Sequence, residues 1–124
     1  MLRLLMIVSG GFEAAFGASA LIVPDMLIGA LGTEADPSAE FLARVLGAAT
    51  LALGIAALLA RDQLATKGGL AAAYGLALYN VLAASFILWS AAVASLGGAA
   101  LWAAGLVHAL IGLLFVYALA TAAK

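Results

Sequence analysis

The sequence predicts an all-α integral membrane protein, an antiparallel four-helix bundle formed by one transmembrane domain of residues 1–124. Hydrophobic residues make up 68% of the chain and charged residues 9%, whereas soluble domains average about 45–50% and about 25%. A soluble domain of this length could not bury so much apolar surface. The apolar residues also fall into four runs of about 20 residues, the length that crosses about 30 Å of hydrocarbon as a helix.

Local signals set the order of the elements. Pro24 ends the first span, because proline cannot continue a helix interior. The following apolar segment, 24–31, is too short to cross the membrane and is expected to form a short interfacial helix. Asp36 is a predicted N-cap with Pro37 at the first helical position. The predicted spans are 3–23, 41–60, 69–89 and 100–121, with the later turns at 61–68 and 95–98.

Charge near the span ends predicts the orientation. Basic residues concentrate on the cytoplasmic side of membrane proteins. In a four-span hairpin layout all of them but one lie at one end (Arg3, Arg61, Lys67 and Lys124), and the opposite end carries acidic residues (Asp25, Glu34, Asp36 and Glu40). We therefore expect both termini to be cytoplasmic. Trp89 and Trp102 then meet at the outer interface, where aromatic side chains are enriched.

Composition also excludes several functions. With 5 basic and 6 acidic residues and a net charge of −1, the chain does not have the basic surface that nucleic-acid binding needs. It contains no cysteine and one histidine, which are too few ligands for a zinc or iron site. Phosphate-binding loops, dinucleotide fingerprints and nucleophile elbows are not found. We therefore expect no metal and no cofactor.

Polar residues inside the spans are the candidate ligand-binding or proton-binding site: Glu13, Arg44, Thr50, Asn80 and His108. At 1.5 Å per residue, four of them lie roughly 12–15 Å deep, one in each span, and Arg44 lies nearer the outer surface. Each of the four sits between two small residues at i−3 and i+4, as in Gly10–Glu13–Gly17 and Gly105–His108–Gly112. These positions share one helix face, and small residues allow helices to approach closely in lipid.

Each of these residues has a functional and a structural interpretation. Glu13 is either a carboxylate that carries a proton or binds a cation, or a protonated or hydrogen-bonded carboxyl group that fixes helix packing to His108 or Asn80. His108 is either a proton relay or ligand contact, or a packed histidine bonded to Glu13, and Asn80 either contacts a ligand or joins two helices. Thr50 is expected to hydrogen-bond to the carbonyl four residues back. Arg44 either pairs with Glu13 or binds an anionic head group, or it extends to the outer interface, toward Glu40.

The segment Gly47–Arg61, GAATLALGIAALLAR, followed by Leu64 and Ala65, resembles the second span of DoxX-like small bacterial membrane proteins. That family usually has an acidic residue just ahead of this core, where this chain has Arg44. The resemblance implies a four-helix protein of the bacterial inner membrane, in some cases accessory to oxidoreductase complexes. Small multidrug-resistance transporters also have four spans and a glutamate in the first, but Arg44, His108 and the strong bias of basic residues differ from their pattern.

Three functions fit these observations. The first is binding or transport of a small amphipathic or cationic ligand with Glu13 as the proton carrier. The second is an accessory or structural subunit of a larger membrane complex. The third is a small membrane enzyme on a lipid or isoprenoid, which requires Glu13 and His108 within hydrogen-bond reach, directly or through a water. The expected partners are the lipid bilayer and either further copies of the chain or other membrane subunits.

Overall fold

The computed structural model describes residues 1–93 and 98–122, and these residues form five α-helices. The helices are α1 (Leu2–Ile22), α2 (Pro24–Ala30), α3 (Pro37–Ala60), α4 (Lys67–Val93) and α5 (Ala99–Ala122). The predicted all-α class is therefore confirmed. Four of the helices, α1, α3, α4 and α5, are long and apolar enough to cross a membrane.

The predicted N-cap of α3 is confirmed: the helix begins at Pro37, and the Asp36 side chain accepts a hydrogen bond of 2.8 Å from the Ala39 N–H. The predicted apolar span of 41–60 follows this capped first turn within the same helix. Helix α4 extends past Trp89 to Val93, since an interfacial tryptophan marks the membrane surface and not the end of a helix. Of the predicted turn at 95–98, residues 95–97 lie outside the described part of the chain.

The short helix α2 follows α1 directly, as predicted for segment 24–31. Pro24 occupies its first turn, where the missing proline N–H costs nothing. Its C-terminus is closed by Gly32, whose φ of 85° is readily adopted only by glycine. The Gly32 and Thr33 N–H groups donate to the carbonyls of Gly29 and Ile28, the pattern of a Schellman motif. This turn directs the chain from α2 toward α3.

Helices α1 and α3 pack closely through paired glycines. A Cβ at Gly54 would lie 2.5 Å from the carbonyl oxygen of Gly10 and the N atom of Ala14, and a Cβ at Gly17 would lie 2.6 Å from the carbonyl oxygen of Gly47. Gly10 therefore lies opposite Gly54 and Gly17 opposite Gly47, so the two helices run in opposite directions. Only backbones without side chains at these points can approach so closely.

Helices α4 and α5 form a second close pair. A Cβ at Gly105 would lie 2.6 Å from Cδ2 of Leu88, and one at Gly112 would lie 3.0 Å from Cγ2 of Val81. These contacts again require opposite helix directions. In each of the four long helices, one buried polar residue sits between two small residues at i−3 and i+4, and we call each such set a small–polar–small triplet. All twelve residues of the four triplets are buried. The repeated spacing in the sequence therefore marks the packed faces of the four helices.

The interior is layered along the helix axes. An apolar core that includes Met6, Leu76 and Phe115 fills the end that holds the N-terminus. The buried polar residues of α1, α4 and α5 lie one to two helical turns away from this apolar core, on the side opposite the N-terminus. Large apolar side chains such as Leu4, Phe41 and Leu113 are more than 60% exposed, as expected for helices that face hydrocarbon.

Candidate functional site

The structure brings together three of the five candidate residues from three different helices. Glu13 on α1 and Asn80 on α4 are fully buried, and His108 on α5 is 6% exposed. Their positions follow from the glycine-rich faces described above, which turn each polar side chain toward the neighbouring helices. We call Glu13, Asn80 and His108, together with Ser9, the polar cluster.

A hydrogen-bonded chain links most of the polar cluster. The Nδ2 group of Asn80 donates to the Leu76 carbonyl at 2.9 Å and to Oγ of Ser9 at 3.1 Å. Oδ1 of the same amide lies 2.9 Å from Nδ1 of His108. Asn80 therefore joins α1 to α5 through α4, which bears out its structural interpretation as a link between helices.

Glu13 stands apart from this chain although it lies beside it. Oε1 of Glu13 is 3.8 Å from Nδ1 of His108, which is too long for a hydrogen bond. Neither carboxyl oxygen has a hydrogen-bond partner among the described residues. The hydrogen-bonded form of the structural interpretation, in which Glu13 bonds to His108 or Asn80, is therefore wrong, because Asn80 takes the place of Glu13 as the partner of the imidazole.

Aromatic side chains surround the imidazole. The rings of Phe12 and Tyr79 meet the His108 ring edge to face, with centroids 5.8 and 5.7 Å away. The Tyr79 hydroxyl also lies near the Glu13 carboxyl group without reaching hydrogen-bond geometry. These aromatic neighbours hold the ring of His108 in one orientation.

Ser9 was missed at the sequence level. It lies one turn before Glu13 on the same face of α1, and its complete burial reflects that position. A serine four residues before a buried glutamate could have been read as a second polar group on that face, because residues at i and i+4 are neighbours on a helix.

The remaining two candidates lie outside the polar cluster. Thr50 is buried, but its hydroxyl donates to the carbonyls of Leu46 and Gly47 on its own helix, at 3.0 and 3.2 Å. This is the backbone hydrogen bond that the sequence predicted. Arg44 is exposed and pairs with Glu40 at 3.0 Å, so its side chain extends toward the N-terminal end of α3 and does not reach Glu13.

A cavity of about 390 Å³ adjoins the polar cluster on the side of α2. Its size is within the range of small-molecule sites. His108 and Tyr79 are its polar lining residues, and the rest of its wall is apolar, made of three phenylalanines and seven aliphatic residues. The lining residues come from four helices and the turn after α2, and include Phe12, Phe16, Leu31, Phe86 and Ala104.

The described residues contain no group of three His, Cys, Asp or Glu side chains that could hold a metal ion. A carboxyl group, an imidazole and a phenol next to an apolar cavity can instead bind a hydroxyl group or exchange a proton. No protein-family model, no curated protein and no solved structure matches this chain. The function is therefore argued from its own residues.

Proposed function

We propose that this protein binds or transports a small amphipathic or cationic molecule within the membrane and that Glu13 carries a proton to and from the bound molecule. The observation that supports this is the position of Glu13, a fully buried carboxyl group without a hydrogen-bond partner among the described residues, 3.8 Å from His108. An unpaired carboxyl group at the centre of a membrane is costly. The free-energy cost of burying the Glu13 carboxyl group is explained if this group takes up and releases a proton as part of the function.

The imidazole of His108 connects Glu13 to the cavity. Nδ1 faces the carboxyl group and Asn80, while the ring lines the cavity. When the second ring nitrogen takes a proton from a bound molecule, Nδ1 releases its own proton to Glu13. The bond that held the proton in the bound molecule breaks and leaves its electron pair there, one N–H bond forms at the second ring nitrogen, the Nδ1–H bond breaks, and one O–H bond forms on the Glu13 carboxylate. The imidazole ends neutral with its proton on the second ring nitrogen, and the negative charge passes from Glu13 to the bound molecule.

The weaker interface between two helix pairs would allow this site to open. α1 packs mainly on α3, and α4 mainly on α5, while the contacts between the two pairs are sparser. The polar cluster lies on the seam between the pairs, with Ser9 and Glu13 on one side and Asn80 and His108 on the other. A small relative rotation of the two pairs would expose Glu13 without breaking the glycine contacts within each pair.

The orientation in the membrane belongs to the same proposal. We place the chain in the bacterial inner membrane as an antiparallel four-helix bundle, with both termini in the cytoplasm. The charge bias supports this orientation, and the ion pair between Arg3 and Asp62 keeps the start of α1 and the α3–α4 turn at one end. The cavity then lies in the outer half of the bilayer.

Two measurements test the proposal. Native mass spectrometry of the protein extracted gently from its own membrane should show a retained small molecule. Infrared difference spectra, recorded when a total lipid extract of that membrane is added to the purified protein, should show a change in the C=O band of a protonated carboxyl group. This change should vanish in Glu13→Gln and persist in Glu40→Gln, a matched variant at an exposed ion pair.

Other outcomes would point elsewhere. A stoichiometric complex with a different polypeptide and no retained small molecule would make this chain an accessory subunit. A carboxyl band that persists in Glu13→Gln would exclude Glu13 as the proton carrier.

A further inference from the structure

The neighbours of His108 determine which of its ring nitrogens carries the proton. A backbone carbonyl only accepts hydrogen bonds, so the atom of the Asn80 amide that meets the Leu76 carbonyl is the Nδ2 donor. Oδ1, an acceptor, therefore faces His108. Nδ1 must donate to it, and in the neutral imidazole Nε2 is left as an acceptor.

Nε2 is the acceptor that the cavity offers to a ligand. It has no hydrogen-bond partner among the described residues. In that part of the chain, the unpaired side-chain atoms that are fully buried are the two carboxyl oxygens of Glu13, so Nε2 retains some exposure. His108 lines the cavity together with Ala104 and Leu101, which lie one and two turns earlier, respectively, on the same face of α5. A ligand in the cavity therefore meets a lone pair on an imidazole nitrogen.

The rest of the lining excludes an ion. The cavity is lined by no charged side chain among the described residues, since Glu13 is enclosed behind His108 and Tyr79. An ion would lose its hydration there without gaining a counter-charge, which is unfavourable by many kcal/mol. Phe12, Phe16 and Phe86 offer instead a wall suited to a flat or aliphatic apolar body.

The ligand reaches this cavity from the lipid. Phe86 is 67% exposed and Leu82 is 47% exposed, and both line the cavity while facing the outside of the helices. A second cavity of about 330 Å³ shares Leu31, Phe86, Ile87 and Leu101 with the first and continues to Thr33 and Ser90 near the outer end of α4. The two cavities together form one elongated, mostly apolar space.

We infer that the site takes a neutral, lipid-soluble alcohol or phenol, whose hydroxyl group donates a hydrogen bond to Nε2 of His108 and whose apolar part lies among the aromatic side chains. This inference rests on the proposed function and specifies its ligand class. It narrows the choice between amphipathic and cationic ligands to neutral molecules with a hydroxyl donor.

The test uses two probes that differ only in the hydrogen-bond donor, para-hexylphenol and its methyl ether para-hexylanisole. His108 is the one histidine of the chain, so ¹⁵N-histidine labelling of the purified protein gives signals from this ring alone. Hexylphenol should move the Nε2 resonance toward that of a hydrogen-bonded nitrogen, and the ether should leave it in place. The ether should also bind about tenfold more weakly, the effect of one hydrogen bond.

Matched variants locate the binding. Ala104→Leu fills the cavity one turn before His108 and should abolish the shift, whereas Ala103→Leu, at an exposed neighbouring position, should leave it unchanged. The inference is overturned if both probes shift Nε2 alike, if neither does, or if Ala103→Leu abolishes the shift as well. A retained native molecule without a hydroxyl group would overturn the ligand class while leaving the proposed function intact.

Discussion

Nδ1 of His108 lies 2.9 Å from Oδ1 of Asn80, and this contact makes Nδ1 the protonated nitrogen of the ring. Free neutral histidine can carry the proton on either nitrogen, so the tautomer depends on the partner. Here the partner is itself oriented by the Leu76 carbonyl and by Ser9. The fixed tautomer leaves Nε2 free for a ligand.

The first prediction concerns this tautomer. In ¹⁵N spectra of the ligand-free protein at a pH where the ring is neutral, Nδ1 should show the shift of a protonated nitrogen and Nε2 that of an unprotonated one. Asn80→Leu removes the acceptor and should shift the equilibrium toward the other tautomer. Ser85→Ala should change nothing, because the Ser85 hydroxyl donates to the Val81 carbonyl of its own helix. A wild-type spectrum with the proton on Nε2 would contradict the assignment.

The second prediction is a gain of stability on removing Glu13. Because both carboxyl oxygens lack a partner among the described residues, Glu13→Met replaces an unsatisfied polar group with an apolar one of similar shape. The free energy of unfolding should rise by about 1–3 kcal/mol, as measured by denaturation in mixed micelles, while proton exchange is lost.

Asn80→Leu provides the comparison for that measurement. It leaves the Nδ1–H of His108 without its acceptor and should lower the free energy of unfolding by about 1–3 kcal/mol. If Glu13→Met destabilises the protein as much as Asn80→Leu does, the carboxyl group is a packing element and its proposed role fails.

Much of the fold follows from the sequence because the membrane restricts the possible structures. Apolar runs of sufficient length can only be helices, and the capping signals at Asp36 and Pro37 set the start of α3. The burial of the small–polar–small faces also follows, since small residues mark helix contacts in lipid. The length of α4 beyond Trp89 was missed, because a tryptophan marks the membrane surface and not the end of a helix.

The site could be predicted only in part. The depth of Glu13, Asn80 and His108 placed them at one level, but helix periodicity does not say which polar groups pair across helices. The sequence therefore did not show that Asn80 would displace Glu13 as the partner of His108. The cavity was missed as well, since Phe12, Phe16 and Phe86 come from distant parts of the chain and each resembles an ordinary lipid-facing side chain.

The third prediction concerns the close approach of α1 and α3. Gly54→Ala places a Cβ 2.5 Å from backbone atoms of Gly10 and Ala14, so the helices must separate. Such overpacking costs about 1–3 kcal/mol. Gly11→Ala is the control, because a Cβ there meets nothing within 4 Å. It should stabilise α1 by about 0.5–1 kcal/mol. Equal effects of the two variants on thermal unfolding would contradict the packing.

The fourth prediction concerns the ion pair between α1 and the α3–α4 turn. Nε of Arg3 lies 2.5 Å from Oδ1 of Asp62, and this hydrogen bond lowers the pKa of the Asp62 carboxyl group. Since the pKa is lower in the folded state, the stabilising contribution is present above the unfolded pKa and is lost as the pH falls through the folded value. Arg3→Gln should raise the pKa of Asp62 in ¹³C titrations, while Arg44→Gln should leave it unchanged.

The last prediction tests the orientation of the helices in the membrane. The chain contains no cysteine, so a single introduced thiol reports on its own position without background. Ala35 and Gln63 are exposed residues of the α2–α3 and α3–α4 connections, which lie at opposite ends of α3. In intact cells, a membrane-impermeant maleimide should label Ala35→Cys and should label Gln63→Cys only after the cells are opened. The reverse pattern would place the basic end outside and the cavity in the inner half of the bilayer, whereas labelling of both positions in intact cells would contradict a membrane crossing by α3.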